Sequence, residues 1–176
     1  MKKVVQRFPL ALRLLHWLMA ILIIAMLFIG VGMVSTVSEL RSWLIDLHKP
    51  IGLLILCLVA VRLCVRLLSA TPPLPADLPA WQRAGAQLSH ALLYVLMVVL
   101  PLVGWAMLSA GGYPVVLFGV VVLPPIAPIV PALFAILRRL HTILAFLMFA
   151  TILAHVGAAL FHAWVRRDDV FRSMRP

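Results

Sequence analysis

Six histidines, His16, His48, His90, His141, His155 and His162, stand in or beside long apolar stretches of a 176-residue chain. Ionisable groups in such places are costly, and where they persist they usually bind or react. His141 and His155 are fourteen residues apart, close to four α-helical turns, so one helix face offers two imidazoles roughly 21 Å apart along its axis. His16 opens one apolar stretch and His48 stands just before another, at the opposite depth. Pairing by depth joins His48 with His141 and His16 with His155. A neutral imidazole binds iron through one nitrogen while its other N–H donates to a carbonyl, so each pair supplies both axial ligands of one haem. Two filled axial positions favour electron transfer over binding of oxygen or substrate at iron. No C-x-x-C-H occurs, which points to two non-covalent b-type haems. Zinc fits less well, because carboxylates and cysteines are missing from both clusters and structural zinc takes four ligands.

Other residues could serve the same centres. His90 starts an apolar stretch at the depth of His16 and is an alternative ligand there, or a hydrogen-bond donor to a propionate or the backbone. His162 lies seven residues beyond His155 on almost the same face, where it could replace His155 or handle protons or quinone at the interface. Arg62, fourteen residues beyond His48, reaches the depth of the His16–His155 pair. Its planar fork suits a haem propionate, with snorkelling to the headgroups as the alternative, one that suits Arg66, one turn further on, better than Arg62.

These side chains need helices that cross a bilayer. The composition is 65% hydrophobic and only 11% charged, with a mean hydropathy of +1.15, far from that of a soluble domain. At about 20 apolar residues per crossing, four spans are expected, at about 14–34, 50–68, 88–109 and 140–164. Together they make an all-α transmembrane four-helix bundle, a single membrane domain with no room for a separate soluble catalytic domain. The first stretch is longer than a signal-peptide core and no A-x-A-like site follows it, so it reads as a retained span. Cys57 and Cys64 stand one heptad apart, too far to bridge, and read as small lipid-buried side chains. The connector 69–87 carries Pro72, Pro73, Pro75 and Pro79 and reads as a loop. Residues 110–139 begin with Gly111-Gly112 and hold five prolines, so irregular or re-entrant structure is expected there.

A net charge of +10 would suggest nucleic acid in a soluble chain, but here the basic residues flank apolar spans and report topology instead. With four spans, Lys2, Lys3, Arg7, Arg13, Arg62, Arg66, Arg83, Arg166, Arg167, Arg172 and Arg175 share one side. Arg41, Lys49, Arg138 and Arg139 occupy the other. The positive-inside rule places both termini in the cytoplasm.

Leu15-His16-Trp17, the run Val61 to Leu67 followed by Thr71-Pro72-Pro73, and the run Leu100-Pro101-Leu102-Val103-Gly104-Trp105 together resemble the bacterial cytochrome b561 family. The closing His155 to His162 segment, with Asp168-Asp169 and Arg172-Ser173-Met174-Arg175-Pro176, extends the resemblance over nearly the whole chain. The chain is similar, more distantly, to the di-haem cytochrome b subunits of formate dehydrogenases and nickel-iron hydrogenases, in which the fourth span gives one ligand to each haem. The resemblance implies the same two pairs, His16 with His155 and His48 with His141. It also implies a superoxide oxidase that passes electrons from periplasmic superoxide through two haems to ubiquinone, with His162 beside the quinone and Thr71, Pro72 and Arg62 as neighbours. The long, apolar, proline-rich 110–139 connector departs from that pattern. Lys49, Arg138 and Arg139 adjoin the His48–His141 pair, where they would steer an anion such as superoxide or hold haem propionates. The competing expectation is a membrane anchor and electron conduit for a partner dehydrogenase, hydrogenase or periplasmic redox protein.

Overall fold

The structure is a computed structural model, and residues 7–73, 77–117 and 119–175 are described. Lys2 and Lys3 of the charge tally, Pro75 of the first connector and Pro176 of the closing motif lie outside the described residues. Four long helices dominate: α1 (Leu10–Ser35), α2 (Glu39–Leu68), α3 (Ala80–Ala110) and α4 (Pro131–Phe161). A π-helical turn, His162–Arg166, continues α4, and a short helix α5 (Val170–Ser173) ends the chain. Counting the π turn, all four are long and apolar enough to cross a bilayer, which makes this a multi-spanning membrane protein consistent with the bacterial inner membrane.

Prolines mark three of the helix starts: Pro9 and Pro79 immediately precede α1 and α3, and Pro131 is the first residue of α4. At these positions the missing N–H costs no helical bond, and the fixed φ suits helix entry. The helices run past the apolar windows that reveal them. The largest difference is in α2, which begins at Glu39 rather than near Pro50 and carries Pro50 in its interior. His48 is therefore a residue of the helix and does not precede it.

Residues 111–130 differ from a wholly irregular connector. Strands β1 (Val115–Leu117) and β2 (Val121–Leu123) pair antiparallel as a small hairpin that packs against α2 and α3. The turn out of α3 depends on glycine, since a Cβ at Gly111 would come within 2.6 Å of the Tyr113 ring and Gly112 has φ +72°. Trp105 Nε1 donates to the Pro124 carbonyl (3.0 Å), and the Ile126 N–H donates to Ser109 Oγ (3.1 Å), tying the connector back to α3. Helix α4 then starts at Pro131, so Arg138 and Arg139 belong to a helix and not to the connector.

Helix α1 packs along α2, and α3 along α4, with α2 and α3 joined over a shorter stretch. Among the described residues, α4 makes no comparably extended backbone contact with α1 or α2. The buried centre is small: Met19, Val59, Leu96, Met97 and Met148, with Ile23, Leu56, Tyr94, Leu144 and Ile152 against it. Large side chains such as Phe28, Val34, Leu68 and Phe146 point outward, as do Cys57 and Cys64. Lipid tails are as apolar as these side chains, so helix association rests on packing and internal polar contacts rather than on exclusion of water.

Both described chain ends meet at one end of the bundle. The Phe8 N–H donates to the Ser173 carbonyl (3.1 Å), Trp17 Nε1 to the Met174 carbonyl (2.9 Å) and Arg13 Nη1 to the Arg175 carbonyl (2.7 Å). The closing segment thus straps the start of α1.

Candidate functional site

Two pairs of imidazoles face each other across the gap between helices that do not pack backbone to backbone. His16 on α1 and His155 on α4 have ring centroids 6.2 Å apart, and so do His48 on α2 and His141 on α4. Helix α4 therefore contributes to both pairs, with His141 toward the hairpin end and His155 toward the end where the termini meet. Met148, buried and seven residues from each, lies between the two levels.

The rings fit a two-ligand metal. An imidazole–metal–imidazole bridge, with bonds of about 2.0 Å and about 1.1 Å from each nitrogen to its ring centre, spans about 6.2 Å. Nδ1 of His16, His48 and His141 is buried without a hydrogen-bond partner, a cost that ligation at that nitrogen, or a hydrogen bond from it to a bound group, would relieve. His90 also approaches His155, but at 5.3 Å between centroids it is too close for the same bridge.

Arg62 supplies a further test of fit. It is buried on α2, where Nε donates to the Tyr94 hydroxyl (3.2 Å) and Nη1 to the Leu12 carbonyl (3.0 Å). These bonds tie α2 to α3 and α1 beside the His16–His155 level. Among the described residues no carboxylate pairs with it, so a cation held inside a membrane still needs an anion. A haem propionate would carry that charge. Arg66 instead stands over the Tyr94 ring at 6.0 Å, a cation–π distance.

At the hairpin end, Gly104 of α3 makes room for His141: a Cβ there would stand 3.3 Å from the ring's Cε1. Gly104→Val should press on that imidazole and lower occupancy at the His48–His141 level alone, measured as haem content against the unchanged parent. Lys49 forms an ion pair with Asp46 (3.4 Å), while Arg138 and Arg139 are exposed on α4.

At the other end a polar network closes around His162. Its Nδ1 lies 2.6 Å from Asp168 Oδ2, and Arg166 Nε donates to the same oxygen (3.2 Å). Arg166 Nη2 donates to Asp77 (2.6 Å) and Nη1 to Gln82 Oε1 (3.4 Å), so α4 is bonded to the connector before α3 and to the first turns of α3. The π turn followed by Arg167 in the left-handed region (φ 55°) swings Asp168 back to His162. Thr71 and Pro72 share this end of the bundle, but the connector reaches α4 through Asp77.

Asp168, Arg166, Asp77 and Gln82 escape a reading of the histidines alone. The signal was scarcity, because the chain has only five acidic residues and two of them meet on Arg166. Burial would raise the Asp168 carboxyl. The hydrogen bond with His162, the Val170 N–H (3.1 Å), the charge of His162 and Arg166 outweigh burial and hold it below the usual carboxylate range. A depressed carboxyl stabilises above its unfolded value, about 3.9, and that contribution is lost as pH falls through the folded one. Protection of the Val170 N–H, corrected for intrinsic exchange, should therefore drop only below about pH 4. In Asp168→Ala it should already be low at neutral pH.

A four-span bundle with two stacked imidazole pairs defines a membrane electron carrier of the cytochrome b class. The family model for prokaryotic cytochrome b561 matches residues 7–176, and the chain belongs to that family, whose members typically carry two haem b groups. It is similar to cytochrome b561 homolog 1 of Escherichia coli K12, 29% identical over 92% of this chain and 93% of that one. Cytochrome b561 homolog 2 of the same organism is 31% identical over 90% and 86%. A Yersinia pestis protein named probable superoxide oxidase CybB is 30% identical over 92% of each chain.

Proposed function

We propose that this membrane-embedded electron carrier is a superoxide oxidase: two superoxide anions each give one electron, releasing two O2, and ubiquinone with two protons becomes ubiquinol. The two imidazole pairs with 6.2 Å between centroids, one toward each end of α4, carry this reading, and the name of the Yersinia pestis relative supports the choice of donor. His48 with His141 and His16 with His155 are the axial ligands. When bound, haem supplies a reversible one-electron couple at each level. Both termini are cytoplasmic by the basic-residue bias, which makes the His48–His141 level periplasmic.

The chain's own residues supply position, charge and protons. Arg62 neutralises a propionate at the cytoplasmic level. Lys49, Arg138 and Arg139 make the periplasmic mouth positive, which steers an anionic donor toward it. His162, held by Asp168, faces quinone at the end where Thr71 and Pro72 also lie, and moves a proton from its ring toward the reduced quinone oxygen.

The test is stopped-flow exposure of the oxidised purified protein to superoxide, with and without quinone. Haem should be reduced well above the spontaneous background, with the rate falling as ionic strength rises. A background rate would reject superoxide as donor and leave the conduit for a partner dehydrogenase or periplasmic redox protein.

A further inference from the structure

Where the last span ends at Arg166, a cavity of about 160 Å³ has Trp164, Arg167, Phe171, Arg172 and Arg175 among its lining residues. Three of its lining side chains are guanidiniums. Asp168 also lines it, but that carboxylate is already engaged by His162 and Arg166. Arg167 spends only Nε, on the Trp164 carbonyl (3.2 Å), and Arg172 stands 3.8 Å from Asp169. Arg175 has no side-chain ion pair among the described residues, and its carbonyl, bonded by Arg13, fixes its backbone. The left-handed conformation of Arg167 is uncommon for a residue with a Cβ and holds its side chain on this side of the turn.

We propose that this cavity binds the phosphodiester head of an anionic phospholipid from the cytoplasmic leaflet. Guanidinium forks match phosphate oxygens in shape and charge. The surface below the cavity decides between a lipid and a free phosphate. Phe161, Trp164 and Val165 are 43%, 70% and 67% exposed, an apolar strip down α4 that acyl chains would cover. Tryptophan at this depth also matches the interfacial position that its amphipathic ring favours. Headgroup binding would brace the strap formed by residues 173–175 across α1.

The full-length, haem-loaded protein in detergent is titrated with phosphatidylglycerol, phosphatidylcholine and inorganic phosphate, and bound lipid is counted by native mass spectrometry. Phosphatidylglycerol should bind as discrete adducts and phosphatidylcholine at least ten-fold more weakly. Each arginine-to-glutamine change should weaken phosphatidylglycerol binding about five-fold, the effect of one cation near an anionic surface. The triple change Arg167→Gln, Arg172→Gln and Arg175→Gln should weaken it about a hundred-fold on the same basis. Arg175→Lys should restore most of the single-site loss. The haem absorption spectrum should stay that of the parent, which shows that the variants fold. Equal binding of the two lipids, unchanged binding by the correctly folded triple variant, or displacement of lipid by millimolar inorganic phosphate would each overturn the assignment.

Discussion

His141→Ala should yield a folded protein holding one haem where the parent holds two, with the loss confined to the level it shares with His48. Deleting one axial imidazole leaves a haem held from one side only, and the facing ring, already buried with an unpartnered Nδ1, has nothing else to bind. The other level lies about four helical turns away and keeps His16 and His155, so its spectrum should persist. His16→Ala should give the mirror result. His90→Ala should retain both haems, because its ring is 5.3 Å from His155 against 6.2 Å for His16. Haem-to-protein ratio by pyridine haemochromogen assay reads all three. Loss of haem in His90→Ala but not in His16→Ala would show that the cytoplasmic ligand was misassigned.

Arg62→Ala should be the most damaging change away from the histidines. Only 7% of Arg62 is exposed, and its two hydrogen bonds reach one residue on α3 and one on α1. Each bond to a charged group is worth about 1.5–3 kcal/mol, so about 3–6 kcal/mol of stability is at stake. The consequence should be local, with haem lost from the His16–His155 level before the bundle unfolds on heating. Arg62→Lys should recover only part, since an ammonium keeps the charge but cannot reach Tyr94 and Leu12 with a fixed fork. A parental melting curve for Arg62→Ala would mean that the guanidinium holds nothing together.

The approach of His155 to His16, and of His141 to His48, was legible in the sequence because helical register and depth are set by residue counts alone. Arg62 was legible for the same reason, fourteen residues beyond His48. The start of α2 was not. Pro50 resembles a first-turn proline, and the polar segment 39–49 falls outside any apolar window, yet a helix can project beyond the hydrocarbon and carry a proline inside where neighbouring groups re-satisfy the freed carbonyl. The β1–β2 hairpin was hidden by its length of three residues per strand within an apolar, proline-rich run that has no clear alternation. The closure of Asp168 on His162 was hidden because it depends on a π turn and a left-handed Arg167, neither of which leaves a periodic pattern.

Acidic residues make the complementary point. Asp77 and Asp168 stand 91 residues apart in sequence, and in the structure both bond Arg166, which links the connector before α3 to the end of α4.

The most direct measurement is the number of b-type haems per chain in the purified membrane protein, together with their ligation state. Two per chain, both low-spin with two imidazoles each, is the expected result. One haem per chain, none, or a high-spin iron with an open axial position would contradict the assignment of two imidazole pairs to two iron centres.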